Sequence, residues 1–507
     1  MNLLTLSFPD SVCEEKNIYF RTNGSFAPAG ARPAMVRLKD GERLSSYTYM
    51  NVFDMGFWRK YTCIKKFMLT LCVQGAGIVR ICVRKGDVEK LFREEELNGG
   101  TYEADISAIE DGLVFFCLKA RGDLAFKGGA FFTPQEAPNE VYIAVNTVTY
   151  HRNEELRANL HTFTKSFFFD EKKAFYGRLK IYITDNGDDF APEETGASGN
   201  LCINSLNEAG TLINICRNSN KGGGSGGFAR GISEIKKDAQ NFPATHIVFM
   251  DDDVLFQQDS FGRLFAFLSF VREEYRDNPV AGRMFDADNR NTQYTAAEVW
   301  NGGELVHMEA SLDMSLSENV LEETQITGDY GGWWLCAYPA LFLFKNAPYP
   351  FFLHCDDCEM GLRCARETLV LRGFQVWHET WDKKLTPKTA YYDARNSFIL
   401  NMMENDENAS GENIRRWRAL LDFYHNEGRR KEKYFCALAL WHASRPKLFR
   451  KTKGELLAKY EKLSQNRLYV KLAAPGLRRA AQRRMERRYG AVRQKYLEIR
   501  VSCRRQQ

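Results

Sequence analysis

The sequence predicts a multidomain protein with an N-terminal antiparallel β-sandwich (1–138), a central α/β domain on a mainly parallel sheet (139–400) and an α-helical C-terminal region with a basic tail (401–507). Three observations predict it. Apolar and polar residues alternate with the strand period through residues 67–118, and no helical period is expected before about residue 140. From residue 141, compact apolar runs alternate with helical stretches, the pattern of βαβ units. Beyond residue 400 the helical period dominates. At 507 residues the chain exceeds what one ordinary core accommodates, and its 44% apolar and 13% aromatic content excludes disorder.

In the first domain the pattern of residues 67–83 predicts two strands joined by a turn at Gln74-Gly75-Ala76-Gly77, with a further strand over 112–118. In the second, residues 141–145, 179–184, 211–215 and 246–250 read as apolar strands and residues 154–160 as a helix. Such sheets bind ligands at the carboxyl ends of their strands.

Net charge is +5, which gives no reason to invoke nucleic acid, and the basic excess lies near the C-terminus. Residues 1–9 lack the basic and apolar regions of a signal peptide, and no apolar run reaches membrane-spanning length. Thirteen scattered cysteines read as reduced core residues, so a reducing cytoplasm is expected.

The sharpest chemical feature is Asp251-Asp252-Asp253, directly after the apolar run 246–250. Three carboxylates at a buried strand end repel one another unless a cation sits among them, and Mg²⁺ or Mn²⁺ bridging a diphosphate is the simplest such cation. Taken alone, the run reads equally well as a solvated acidic turn. Polar segments after the other strands, 145–152, 184–187 and 218–231, converge on the same sheet edge. The run Gly222-Gly-Gly-Ser-Gly-Gly227 has a flexible linker as its other reading.

Trp333 and Trp334, behind two glycines, offer faces that stack on sugar rings or pack in a core. Within Asp356-Asp357-Cys358-Glu359 the two aspartates are placed for proton abstraction from an acceptor hydroxyl. His378 lies in a short strand between aromatics, either a core imidazole or a metal ligand. Cys355 and Cys358 form a CxxC without a second pair, a weak zinc or redox signal.

These segments resemble the family 2 glycosyltransferases of GT-A fold, and within them the galactofuranosyltransferases that polymerise cell-wall galactan. The resemblance rests on Asp251 to Asp253, Gly332-Trp333-Trp334, Asp356 to Arg363, Trp377-His378-Glu379-Thr380-Trp381, Tyr47 to Phe53, Phe57-Trp58-Arg59 and Tyr391 to Asn396. It implies an inverting, metal-dependent transferase using a nucleotide-sugar donor, UDP-galactofuranose, and a glycan or lipid-linked acceptor. Arg152 and Asp185 would hold the uridine end, Asn220 and the glycines after it the donor, and Asp251 and Asp252 the nucleotide. Asp251, Asp253 and His378 would ligate Mn²⁺ or Mg²⁺, Asp357 would be the general base, and Trp333, Trp334, Asp356 and Glu359 would meet the acceptor. Glu359 stands where that branch usually has aspartate. The alternatives are a rhamnosyl or pyranosyl donor, or a non-catalytic glycan-binding protein, which the repelling carboxylates argue against.

In the tail, Leu477, Ala481, Met485, Tyr489, Val492, Tyr496 and Ile499 recur at helical spacing among arginines. This stripe suits an anionic membrane at the inner face of the plasma membrane, or packing on the protein itself or on a second subunit.

Overall fold

The computed structural model describes residues 1–28, 34–190, 213–323, 326–449 and 454–504. The N-terminal sheet is built on two long strands, β1 (Met68–Lys85) and β2 (Leu113–Phe132), paired antiparallel from Leu113 opposite Arg84 to Phe132 opposite Met68. The expected turn at residues 74–77 does not form; the chain passes through as one strand. Gly75, at φ 101°, presses against the Asp123 carbonyl where β2 bulges between Arg121 and Ala125, so the glycines bend the ladder instead of reversing it. A helix unforeseen in the sequence, α1 (Met55–Tyr61), is capped by Asp54, whose carboxylate accepts from the Phe57 N–H at 2.8 Å. It buries Met55, Phe57, Trp58 and Tyr61, and a seven-residue helix apolar on most sides leaves no amphipathic period to read.

The central sheet contains β3 (Ile143–Thr149), β4 (Leu179–Asp185), β5 (Ile213–Arg217), β6 (His246–Asp251) and β7 (Val280–Asp286). Further along the chain come the hairpin β8 (Ala297–Asn301) and β9 (Glu304–Met308), then β10 (Leu335–Pro339) and β11 (Thr368–His378). The order β5-β4-β3-β6 is parallel throughout, β10 runs antiparallel to β6 and β7, and β11 runs parallel to β7. Of the strand expected over 211–215, positions 211 and 212 lie outside the described residues. The helices of this region are α2 (Asn153–Thr164), α3 (Gly223–Lys237), α4 (Asp259–Phe270) and α5 (Asp356–Cys364). Register brings the carboxyl ends level: Val148 lies opposite Asp251, Thr149 opposite Asp185, and Asp286 opposite His378.

One hydrophobic core runs from Leu3 to Trp377 across residue 138, so both sheets share an interior. The seam is also polar and specific. Buried Arg263 of α4 donates to the carbonyls of Met50 and Thr5 at 3.3 and 3.2 Å, and Tyr49 donates to Gln375 Oε1 at 2.7 Å. The segment Tyr47 to Phe53 is thus the joint between the sheets.

Beyond it, α6 (Pro387–Glu404), α7 (Ser410–Asn426), α8 (Arg430–Ala443) and α9 (Arg467–Arg504) surround a second core. The apolar stripe of the tail is turned into this core: Ala481, Met485, Tyr489, Val492 and Tyr496 are buried, with Leu477 and Ile499 packed alongside. Of the two readings of this stripe, packing on the protein itself is the one observed, because its apolar residues are covered by α6 and α8 rather than left for a membrane. Among the described residues no helix is long and apolar enough to cross a membrane.

Candidate active site

The acidic run emerges from β6 into a turn held by two backbone hydrogen bonds of 2.8 Å between Leu255 and Trp377. This clamp brings the carboxylates to the end of β11. His378 Nε2 lies 3.0 Å from Asp253 Oδ1 and 3.7 Å from Asp251 Oδ2, and the three ligand atoms fall within 4.8 Å of one another. Two hard oxygens and an imidazole nitrogen are a suitable donor set for Mn²⁺ or Mg²⁺, and Asp251, Asp253 and His378 fit such an ion. Arg152, from the start of α2, pairs with Asp253 and reaches Asp252 Oδ1 at 3.5 Å. Lys384 Nζ sits 3.3 Å from Asp253 Oδ2 and 3.1 Å from His378 Nε2.

Burial sets the electrostatics. It raises the Asp251 carboxyl and pushes Asp252 up to about 7, helped there by the charge of Asp253. Burial also opposes ionisation of Asp253, but the His378 hydrogen bond and the charges of His378, Lys384 and Arg152 outweigh it and hold Asp253 below the usual carboxylate range.

The second carboxylate pair comes from the first turn of α5. The chain reaches that helix through Phe352, His354 and Cys355, all at φ between 63° and 79°, a left-handed conformation costly for side-chain-bearing residues. Two residues of α6 hold the loop: Asn396 donates to the carbonyls of Leu353 and His354 at 2.6 and 2.9 Å, and Arg395 donates to that of Phe351 at 2.6 Å. Asp356 accepts from Ser225 Oγ at 2.6 Å, and Asp357 accepts from the Cys358 N–H at 2.7 Å. Burial and the neighbouring Asp356 push Asp357 up to about 8; burial brings Asp356 to about 6 against the opposing Ser225 bond.

Asp251 to Asp253, Asp356, Asp357, His378, Arg152, Trp333 and Trp334 all line one cleft of about 1020 Å³. Trp333 is also largely core, edge-on to Phe228 and Phe249 with centroids 5.1 and 4.6 Å away. Trp333 is thus both a core residue and part of the cleft lining.

Three expected residues lie elsewhere. Asp185 is fully buried and accepts from the N–H groups of Gly187, Asp188 and Phe190 at 2.8–2.9 Å and from Arg217, so its lone pairs serve a loop. Asn220, half-buried before α3, is not part of the cleft wall. Glu359 points away from the cleft, buried between Arg363 Nη2 at 2.9 Å and Arg500 Nε at 2.8 Å.

The glycine run is no linker. Its residues form the first turns of α3, and a Cβ at Gly227 or Gly231 would overlap Val148 or Asn146 of β3. The helix therefore lies close on the strand that leads to Arg152.

Lys384, Ser225 and the far wall of the cleft were not foreseeable from the sequence motifs. That wall includes His307 on β9, whose Nδ1 is 2.7 Å from the buried Glu298 and whose Nε2 is 3.3 Å from Tyr294 Oη. Trp300, Trp417, Leu420 and Phe423 continue it. The one sequence signal was Asn301-Gly302-Gly303, a hairpin-turn pattern between β8 and β9.

A family model described as galactofuranosyltransferase 2 N-terminal matches residues 20–134. Galactofuranosyltransferase GlfT2 of Mycobacterium tuberculosis is 26% identical over 438 residues, 80% of this chain. The chain is thus similar to galactofuranosyltransferases. GlfT2 of Mycolicibacterium smegmatis is 24% identical over 444 residues, 81% of the chain. The match spans 66% of the length of each of these relatives. Solved carbohydrate-binding modules are only loosely similar; the family 32 module of C. perfringens NanJ covers 25% of the chain at a TM-score of 0.17 and 10% identity.

Proposed function

We propose that the cleft transfers a galactofuranosyl group, with inversion, from UDP-galactofuranose to a glycan or lipid-linked hydroxyl, on a central domain of GT-A type. The observation that carries this reading is the convergence of two carboxylate sets on one cleft: Asp251 and Asp253 with His378 on one wall, Asp356 and Asp357 on another. A bound Mn²⁺ or Mg²⁺, held by Asp251, Asp253 and His378, supplies the positive charge that a leaving diphosphate needs. Arg152 and Lys384 add cationic donors beside it.

Asp357 is suited to the base role because a carboxyl pushed up to about 8 binds a proton more strongly than an ordinary aspartate. As it takes the acceptor hydroxyl's proton, that oxygen bonds to the anomeric carbon. The carbon–oxygen bond to the diphosphate breaks, and the nucleotide leaves with the electron pair. A single base on the acceptor side gives inversion. The aromatic far wall, which includes Trp300 and Phe423, offers apolar faces of the kind that stack on sugar rings and supports a glycan acceptor.

The test is a screen of UDP-galactofuranose against rhamnosyl and pyranosyl nucleotides on purified protein, with anomeric configuration of the first product read by NMR. Transfer only from another donor, or retention of configuration, overturns the corresponding part. Excess chelator is expected to abolish transfer and restored Mn²⁺ to recover it; full activity in chelator rejects metal dependence.

A further inference from the structure

Helix α5, which carries Asp356 and Asp357, has nine residues, too few to be stable by propensity alone. It begins after the left-handed Cys355 and ends at the left-handed Ala365, φ 52°, so neither end continues smoothly into the chain. Its position must come from side-chain anchors, and among them Glu359 is fully buried and charged.

Both oxygens of Glu359 are engaged, Oε2 by Arg363 Nη2 at 2.9 Å and Oε1 by Arg500 Nε at 2.8 Å. Arg500 reaches on to Glu404 at the end of α6, with Nη1 2.6 Å from Oε1. The result is a chain of alternating charges from α5 through α9 to α6. The same α6 presents Arg395 and Asn396 to the strained loop before α5. Two further hydrogen bonds reinforce the clasp: the Ala347 N–H donates to the Cys503 carbonyl at 3.0 Å, and Tyr349 Oη donates to the Tyr496 carbonyl at 3.2 Å.

We infer that Arg500 is a positioning residue for catalysis, acting through Glu359 to fix the helix that presents Asp357 to the acceptor. This deepens the transferase reading and rests on Asp357 as its base. Truncating Arg500 leaves a fully buried carboxylate short of one partner, and the charge chain can regain balance only if α5 shifts or takes in water. Displacements of about 1 Å at a reacting group are enough to cost large factors in turnover. The anchor lies away from the cleft, so donor and metal binding should be spared.

The test compares Arg500→Ala, Arg500→Lys and Glu359→Gln with the unaltered protein. Turnover, donor KM, Mn²⁺ affinity by calorimetry and melting temperature are read for each. Arg500→Ala is expected to lose at least about tenfold in kcat, with donor KM and Mn²⁺ affinity within about twofold. Arg500→Lys should recover part of the loss, since the charge returns without the fork that spans both carboxylates. Where the alanine variant does not fold, Glu359→Gln, which keeps shape and removes charge, carries the same expectation. Unchanged kcat in a folded Arg500→Ala, or equal losses in kcat, donor binding and metal binding, overturns the inference. A fully active Asp357→Asn would instead remove the base assignment, and this inference with it.

Discussion

At the scale of single residues, Asp357 is held against its own solvation. Its carboxyl sits near 8 in the fold against about 3.8 free, so the folded state keeps a proton that the unfolded chain has released. The stability this provides is full below about 3.8 and is lost as pH rises through about 8. Asp357→Asn should therefore melt higher than the unaltered protein, by a margin that widens as pH climbs from about 4 to about 8. The same variant should lose at least about a hundredfold in kcat with donor affinity little changed. A melting curve series and initial rates check both; loss of stability with retained turnover would reverse the assignment. Under the proposed base role, kcat/KM of the unaltered protein should rise with pH up to about 8, as Asp357 loses its proton. The acidic run, the second aspartate pair and His378 were legible in sequence because carboxylates crowded beside apolar strands demand a counter-charge. Glu359 and Asp185 misled for a related reason: a buried carboxylate can be satisfied by arginines or backbone N–H groups as well as by a ligand, and the sequence does not say which.

At the scale of elements, the helix α3 shows how composition conceals structure. Its glycines leave a linker open as a second reading in sequence, yet they let α3 settle onto β3, with Asn146 donating to the Phe228 carbonyl at 3.0 Å. Gly231→Ala should destabilise by about 1–3 kcal/mol, since its Cβ would strike Asn146. Gly226 faces open space, and Gly226→Ala should stabilise by about 0.5–1 kcal/mol through helix propensity. Chemical denaturation of the pair separates the two roles; equal effects would mean the glycines are not read by packing. The parallel strands and the C-terminal helices were visible because long periodic runs announce themselves. The run through Gly75 and the short helix α1 were not, because a glycine bend mimics a turn and a seven-residue helix with five buried residues carries no period.

At the scale of the whole molecule, the two sheets share a core and are sewn by Arg263, Tyr49 and Gln375. The N-terminal sheet should therefore unfold together with the central one. Calorimetry is expected to show a single transition for both, and a fragment of residues 1–138 to be unstable because it exposes its half of that interior. A separate, reversible melt of such a fragment would contradict the shared core. The clasp on α5 has a consequence in time as well. Glu359 and Arg500 are 141 positions apart, so during synthesis α5 leaves the ribosome well before the arginine that pins it. Until α9 has emerged and docked, Glu359 of α5 has Arg363 beside it but not Arg500. Under the proposed transferase reading, chains truncated before Arg467 are expected to show no transfer, and full activity of such a chain would contradict the role of the clasp.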